Sequence, residues 1–329
     1  MAMKLLRQLY FGIKKEATRL TAETTADTWL PILSNSFDRN ITYMEDDSAF
    51  GVRHSLMQRK QEIESLEGDI VAVADADNIG DWLFYLFGSV ASVQEATSGA
   101  YKHTFSTLNN VLLPTFTAFY DMPNLGDLRS AGCIVNQISL TATVGGRTEA
   151  VVGIIGLGEQ TAGSQTVSYA KPTRYLQGRH FTVEFGDEVS DLGSGTSFDA
   201  ESLEIMINNN GAVDHALGSK RGVDVQALNQ EIEAKFTLKM KSSDFETFRN
   251  SELKKAFRIE AENQSAGILG TASGLYPLLR FDVPPSEIEI TRTRELNDIV
   301  KLELTVKAEF DFSEGFGIEG YLQNTTVSY

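Results

Sequence analysis

Between residues 231 and 240, Glu231, Glu233, Lys235, Thr237 and Lys239 alternate strictly with Ile232, Ala234, Phe236, Leu238 and Met240. A period of two places one set of side chains on a core and the other in water, so this stretch is an amphipathic strand. The pattern returns where Leu302, Leu304, Val306, Ala308 and Phe310 alternate with Lys301, Glu303, Thr305, Lys307 and Glu309. Ile288 and Ile290 begin another such face, with Asn297-Asp298 as the turn between the two runs. In the first half, Ile134, Ile138, Leu140, Ala142 and Val144 alternate with Val135, Gln137, Ser139, Thr141 and Thr143. Gly145-Gly146 then supplies the positive φ angles of a tight hairpin leading into Ala150 to Ile155. Further strands are expected near 100–107 and 114–121.

Helix is scarce. Asn78 to Phe87 reads as one helix, with Asp77 as N-cap and Gly88 as stop. Ser243-Asp244-Phe245-Glu246 is a capping-box pattern that opens a second, through about Ala256. The halves then show one order of elements. Gln61-Glu62-Ile63-Glu64 and Gln230-Glu231-Ile232-Glu233 each enter a strand, followed by helix, strand, strand and hairpin. That order predicts a duplicated unit, with a boundary near 165–175, where Thr161 to Gln165 and Lys171-Pro172 are linker-like. Two polar stretches, Gly186 to Ala200 and Asn208 to Asn229, read as long loops, and loops of such length are usually functional or disordered. Gly193, Ser194, Gly195, Asn208, Asn209, Asn210 and Gly211 are the candidates for bridging subunits.

Composition removes whole classes of function. The charge of −16 is spread over both halves, which opposes tight nucleic-acid binding, since that affinity comes from Lys and Arg neutralising phosphates. The single cysteine, Cys133, makes no internal disulfide and starts an apolar strand, so it is expected to be buried and inert. No apolar run approaches the length of a membrane helix, and no secretory signal pattern opens the chain. His54, His103, His180 and His215 lack the close spacing of a compact metal site. Asp75 to Gly80 resembles the start of a calcium loop, but Ile79 and Leu86 occupy positions that need oxygen ligands, so capping of the helix is the better reading. Gly153, Gly156 and Gly158 fit a glycine-bearing strand better than a phosphate loop. No G-x-S-x-G elbow occurs. The expectation is a structural protein, with no catalytic residues, metal or cofactor.

Tyr10 to Glu16, Pro31-Ile32, Gly51-Val52-Arg53, Trp82 to Gly88, Leu113 to Thr117, Gly132 to Val135, and Leu203 to Asn210 with Gln230 to Met240 together resemble tail tube proteins of long-tailed bacteriophages. The resemblance spans most of the chain through diffuse motifs. It implies a mainly β chain of two tandem tail-tube-like β-sandwich or barrel units, each with a short flanking helix. The expected divisions are an N-terminal arm 1–30, units at 31–168 and 169–312, and a C-terminal arm 313–329. It implies a virion protein, made in the host bacterial cytoplasm, that polymerises as stacked rings into a conduit for genome ejection. Its partners would be further copies of itself, in rings of three rather than six, the tape measure protein, and terminator and baseplate proteins at the ends. DNA would pass without specific binding. A baseplate or hub protein of the same tail, and a β-sandwich binding module, are the alternatives. Glu62, Glu64, Glu231 and Glu233 are candidates for an acidic wall facing the lumen, unless Glu231 and Glu233 pair with Lys235 and Lys239 or face outer solvent.

Overall fold

In the computed structural model, the described residues are 9–48, 58–95, 99–122, 126–169, 174–239, 254–271, 274–293 and 301–329. They form a mainly β chain with a sheet of 13 strands, a sheet of seven and a small sheet of two. The sheets stay open, and no barrel closes among these residues.

The amphipathic runs become strands whose apolar set is buried. Along Glu231–Lys239, Ile232, Ala234, Phe236 and Leu238 are buried and the alternate residues face water. Along Lys301–Lys307 the buried set is Leu302, Leu304 and Val306. These faces meet the seven-stranded sheet as a sandwich. The Phe236 ring lies 5.8 Å from Phe185 and 5.4 Å from Phe257, both edge to face. Fully burying one such side chain stabilises the fold by about 1.5–3 kcal/mol. In the first half the same role falls to a helix, Ile79–Phe87, nearly all of whose residues are buried. Its Trp82 and Tyr85 rings pack at 6.2 and 4.6 Å from Phe116.

The helix stops at Gly88, in the left-handed conformation with φ 81°, as its sequence predicts. Its start differs. Asp75 caps it, accepting from the backbone N–H groups of Asp77 at 2.9 Å and Asn78 at 3.1 Å. Asp77, the expected cap, is instead ion-paired with Arg174. The Asp75 carboxylate holds the turn that leads into the helix, and the Asp75 backbone carbonyl accepts from Ile79 N–H at 3.1 Å. Of the second expected helix, 243–253 lie outside the described residues, while Lys255 and Ala256 already belong to the strand Lys255–Glu262.

Both halves run through one series of strands. In the first half Thr28–Leu30, Phe11–Lys15, Phe116–Met122, the start of Gly126–Thr143 and Glu159–Thr161 lie side by side in that order. In the second, Thr196–Phe198, Phe181–Gly186, Lys255–Glu262, Leu278–Ser286 and Glu319–Asn324 repeat it. The irregularities coincide too, between Phe116 and Ala118 and between Lys255 and Phe257. A second series of four follows the same rule. Asp38–Asp46, Gln58–Val73, Glu149–Gly156 and the end of Gly126–Thr143 form one ladder. Ala200–Asn208, Glu231–Lys239, Lys301–Lys307 and Ile288–Thr293 form the other.

Several elements were not legible in the sequence. Phe11–Lys15 and Thr28–Leu30 are paired into the first series, and Glu319–Asn324 into the second. Between the two N-terminal strands, the buried Glu16 carboxylate accepts from Thr117 Oγ1 at 3.0 Å and from the N–H groups of Gly132 at 2.8 Å and Leu20 at 2.7 Å. The polar stretches expected to be loops also carry structure. Gly186 to Ala200 holds a 3-10 turn at Val189–Asp191 and the strand Thr196–Phe198. Asn208 to Asn229 holds the strand pair Ala212–Asp214 and Asp224–Gln226.

Candidate functional site: one made junction and two open edges

The two ladders are joined within the chain. Gln137 to Thr143 pair with Asn208 to Ser202, antiparallel and in unbroken register. On the core side Ile138, Leu140 and Ala142 stand opposite Ile207, Ile205 and Leu203, all buried. The result is one continuous run of eight strands. At its ends, among the described residues, Asp38–Asp46 pairs only with Gln58–Val73, and Ile288–Thr293 only with Lys301–Lys307. Such edges present unpaired backbone groups that template pairing with another chain.

The asparagine run Asn208 to Asn210, with Gly211, fastens this junction. Asn209 is buried, and its Nδ2 donates to the carbonyls of Leu86 at 2.9 Å and Val135 at 3.3 Å. Its Oδ1 accepts from Gln230 Nε2 at 3.0 Å, and its N–H donates to Asn136 O at 2.7 Å. Asn210 sits at φ 46°, a conformation that Asn tolerates better than most residues, and Gly211 N–H donates to Asn136 Oδ1. These polar residues thus work inside the chain, bridging its halves. Gly193 donates to Glu184 Oε2 at 2.7 Å and Ser194 to Asp191 O at 3.2 Å, in the turn that Gly195 completes before Thr196–Phe198, an edge of the seven-stranded sheet.

Opposite the core, the eight strands show a polar face. From Ser65 to Val73, Glu149 to Gly156 and Gln137 to Thr143 this face carries Glu67, Asp69 and Glu149, and these stretches contain no lysine or arginine. In the second half it carries Glu204, Glu231, Glu233, Glu289 and Glu303 beside Lys235, Lys239, Lys301 and Lys307. Its acids outnumber its bases. Glu233 lies 2.6 Å from Lys235 Nζ, and the hydrogen bond to this carboxylate raises the Lys235 pKa.

The structure does not bring the four predicted glutamates onto one surface. The ladders correspond pair for pair from their hairpin ends, where Val73, Glu149 and Thr141 lie across from one another as Lys239, Lys301 and Thr293 do. Counted from there, Glu231 and Glu233 stand where Ser65 and Glu67 stand, three residues away from the Gln-Glu-Ile-Glu match in the sequence. Glu64 has the opposite phase, that of the buried Leu66 and Ile70, and Glu62 is exposed at a register shift in the pairing with Asp38–Asp46. Glu64 is itself buried, and Arg221 Nε donates to it at 2.9 Å.

Cys133 is fully buried, and burial pushes its thiol up to about 12, in keeping with the inert reading. Among the described residues no group of three His, Cys, Asp or Glu is placed to hold a metal ion, and no helix is long and apolar enough to cross a membrane.

Two strand series of the same order, joined edge to edge and with their outer strands unpaired on one side among the described residues, point to a structural protein. The family model for phage tail tube proteins matches residues 7–313, nearly the whole chain, and the chain belongs to that family. It is therefore a bacteriophage virion component with a structural role in the tail tube. A comparison with curated proteins finds no match.

Proposed function

We propose that this chain polymerises as stacked rings of three copies, each copy supplying two equivalent tube units, to form the conduit through which the genome leaves the virion. The observation that carries this reading is the internal junction. Two ladders of the same strand order are joined edge to edge, and the edges left free are of the same two kinds as those already joined. Ile288–Thr293 of one copy meets the start of Asp38–Asp46, up to Asn40, of the next in an antiparallel pairing that repeats Gln137 to Thr143 on Ser202 to Asn208. A head-to-tail contact of this kind makes a ring when its rotation closes.

The polar face of the eight strands lines the channel. Its excess of Glu and Asp keeps the phosphates of passing DNA from settling on the wall, where basic contacts repeated in every ring would add up to a trap. Glu231 and Glu233 lie on this face; Glu64 is buried on the core side, and Glu62 is exposed at a register shift. The chain acts without catalysis or cofactor. The tape measure protein occupies the channel during assembly, and terminator and baseplate proteins cap the ends. Electron microscopy of concentrated purified protein tests the reading: stacked rings with a central hole are expected, and a stable monomer at every concentration, in a preparation whose thermal unfolding is cooperative, would reject it.

A further inference from the structure

The segment that follows Ala200–Asn208 does more than connect strands. Residues 209–230 form a hairpin, with Val213 directly opposite Val225, that leans across the end of the first half's ladder. Val213 and Val225 pack there with Ile134, Ile155 and Leu157. Gly222 N–H donates to Leu157 O at 3.0 Å, and Glu64 N–H to Lys220 O at 2.7 Å.

In the corresponding segment of the first half the described residues 41–46 and 58–64 pair antiparallel as well, and Glu45 stands directly opposite Arg59 where the other has Val213 opposite Val225. This arm leans on nothing comparable among the described residues. Tyr43 and Met44 are 41% and 53% exposed, and the Arg59 guanidinium lies over the Tyr43 ring at 4.0 Å. On the second half, the positions matching Ile134, Ile155 and Leu157 are Glu287, Lys307 and Glu309. Beside them Phe310 and Phe312, 50% and 93% exposed, stack edge to face at 5.3 Å.

We infer that Glu287, Lys307 and Glu309, flanked by Phe310 and Phe312, are the seat for the arm formed by the paired residues 41–46 and 58–64 of a second copy of this chain. The inference rests on the self-assembly proposed above and adds to it the contact that orients one copy on the next. The internal hairpin shows how such an arm lies. Within one copy Arg59 pairs with Glu45 and Glu309 with Lys254; on docking Arg59 turns to Glu287 and Glu45 to Lys307, and the exposed Tyr43 and Met44 meet the phenylalanine pair. The junction inside the chain is thus apolar, and its counterpart between chains is ionic with an aromatic flank.

The test is a chain carrying both Arg59→Cys and Glu287→Cys, assembled and then mildly oxidised. Disulfide-linked multimers on a denaturing gel are expected, absent from either single variant; the buried Cys133 stays silent. As a second measurement, Arg59→Glu and Glu287→Lys should each lower the assembled fraction about tenfold, and the two together should restore it. Tubes of the double-cysteine chain that run as monomers on the gel would overturn the seat while leaving the tube reading intact. A wild-type chain that never assembles would overturn both.

Discussion

The junction within the chain and the pair of edges at its ends are made of the same strands in the same order, yet their side chains differ in kind. The internal one buries Ile138, Leu140 and Ala142 against Ile207, Ile205 and Leu203, with Asn209 bonding its carbonyls. At the outer edges the core-side position that matches Ile207 is the exposed Arg39, and Ile288 and Ile290 are only partly buried against the core, while Asp38, Asn40, Glu289 and Thr291 face outward. The difference follows from when each contact forms. An internal junction forms once, during folding, and never has to be soluble while open. An edge awaiting a partner must stay in solution beforehand, and exposed apolar edges aggregate.

The largest effect should come from the internal junction. Ile205→Ala removes a buried side chain from the centre of that pairing and should cost about 2–5 kcal/mol of monomer stability. Urea unfolding measures it, and a loss below about 1 kcal/mol would mean that the halves are not held together there. Asn209→Ala is expected next, at about 1–3 kcal/mol, because the Leu86 and Val135 carbonyls lose a buried donor. Glu289→Ala, at the exposed edge, should by contrast move monomer stability by less than about 0.5 kcal/mol. Equal losses from the internal and edge substitutions would erase the distinction between junction and edge.

A subtler effect separates the helix of the first half from the sheets around it. Burial, and secondarily the charge of Asp27, push the Asp81 carboxyl from its ordinary 3.8 up to about 7. Because the folded state holds this proton more tightly than the unfolded one, its contribution is fully present below about pH 4 and is lost as pH rises to about 7. Asp81→Asn should flatten the pH dependence of thermal stability between those values. A further small change is expected for Lys235→Gln on the polar face, which breaks an exposed ion pair and should alter stability by less than about 1 kcal/mol.

The strands with a clean period of two were legible because one face is buried and the other wet, as along Glu231–Lys239. Phe11–Lys15 and Thr28–Leu30 were not, because they are short and every residue from Phe11 to Ile13 is buried, which erases alternation. A likeness of the two halves was expected from the order of elements, but the strands that stand in matching places are Phe116–Met122 and Lys255–Glu262, and the strand 100–107 expected to match 257–262 pairs elsewhere. Gln-Glu-Ile-Glu occurs twice by residue type, whereas the true correspondence follows the buried Leu66 and Ile232, whose neighbours differ. The use of Asn209 was hidden for a simpler reason: an asparagine run in a loop looks the same whether it faces water or satisfies distant carbonyls. The open edges could not be read at all, since an edge is defined by the partner it lacks.

The repeated unit and the open edges lead to one claim, that a ring contains three chains and six equivalent units. Symmetry of the assembled tube, determined by cryo-electron microscopy, tests it most directly. The account predicts threefold symmetry by chain with a near-sixfold arrangement of units and Ile288–Thr293 paired to the start of Asp38–Asp46 of the neighbour. Sixfold symmetry by chain, with one half of each copy standing outside the channel wall, would contradict it.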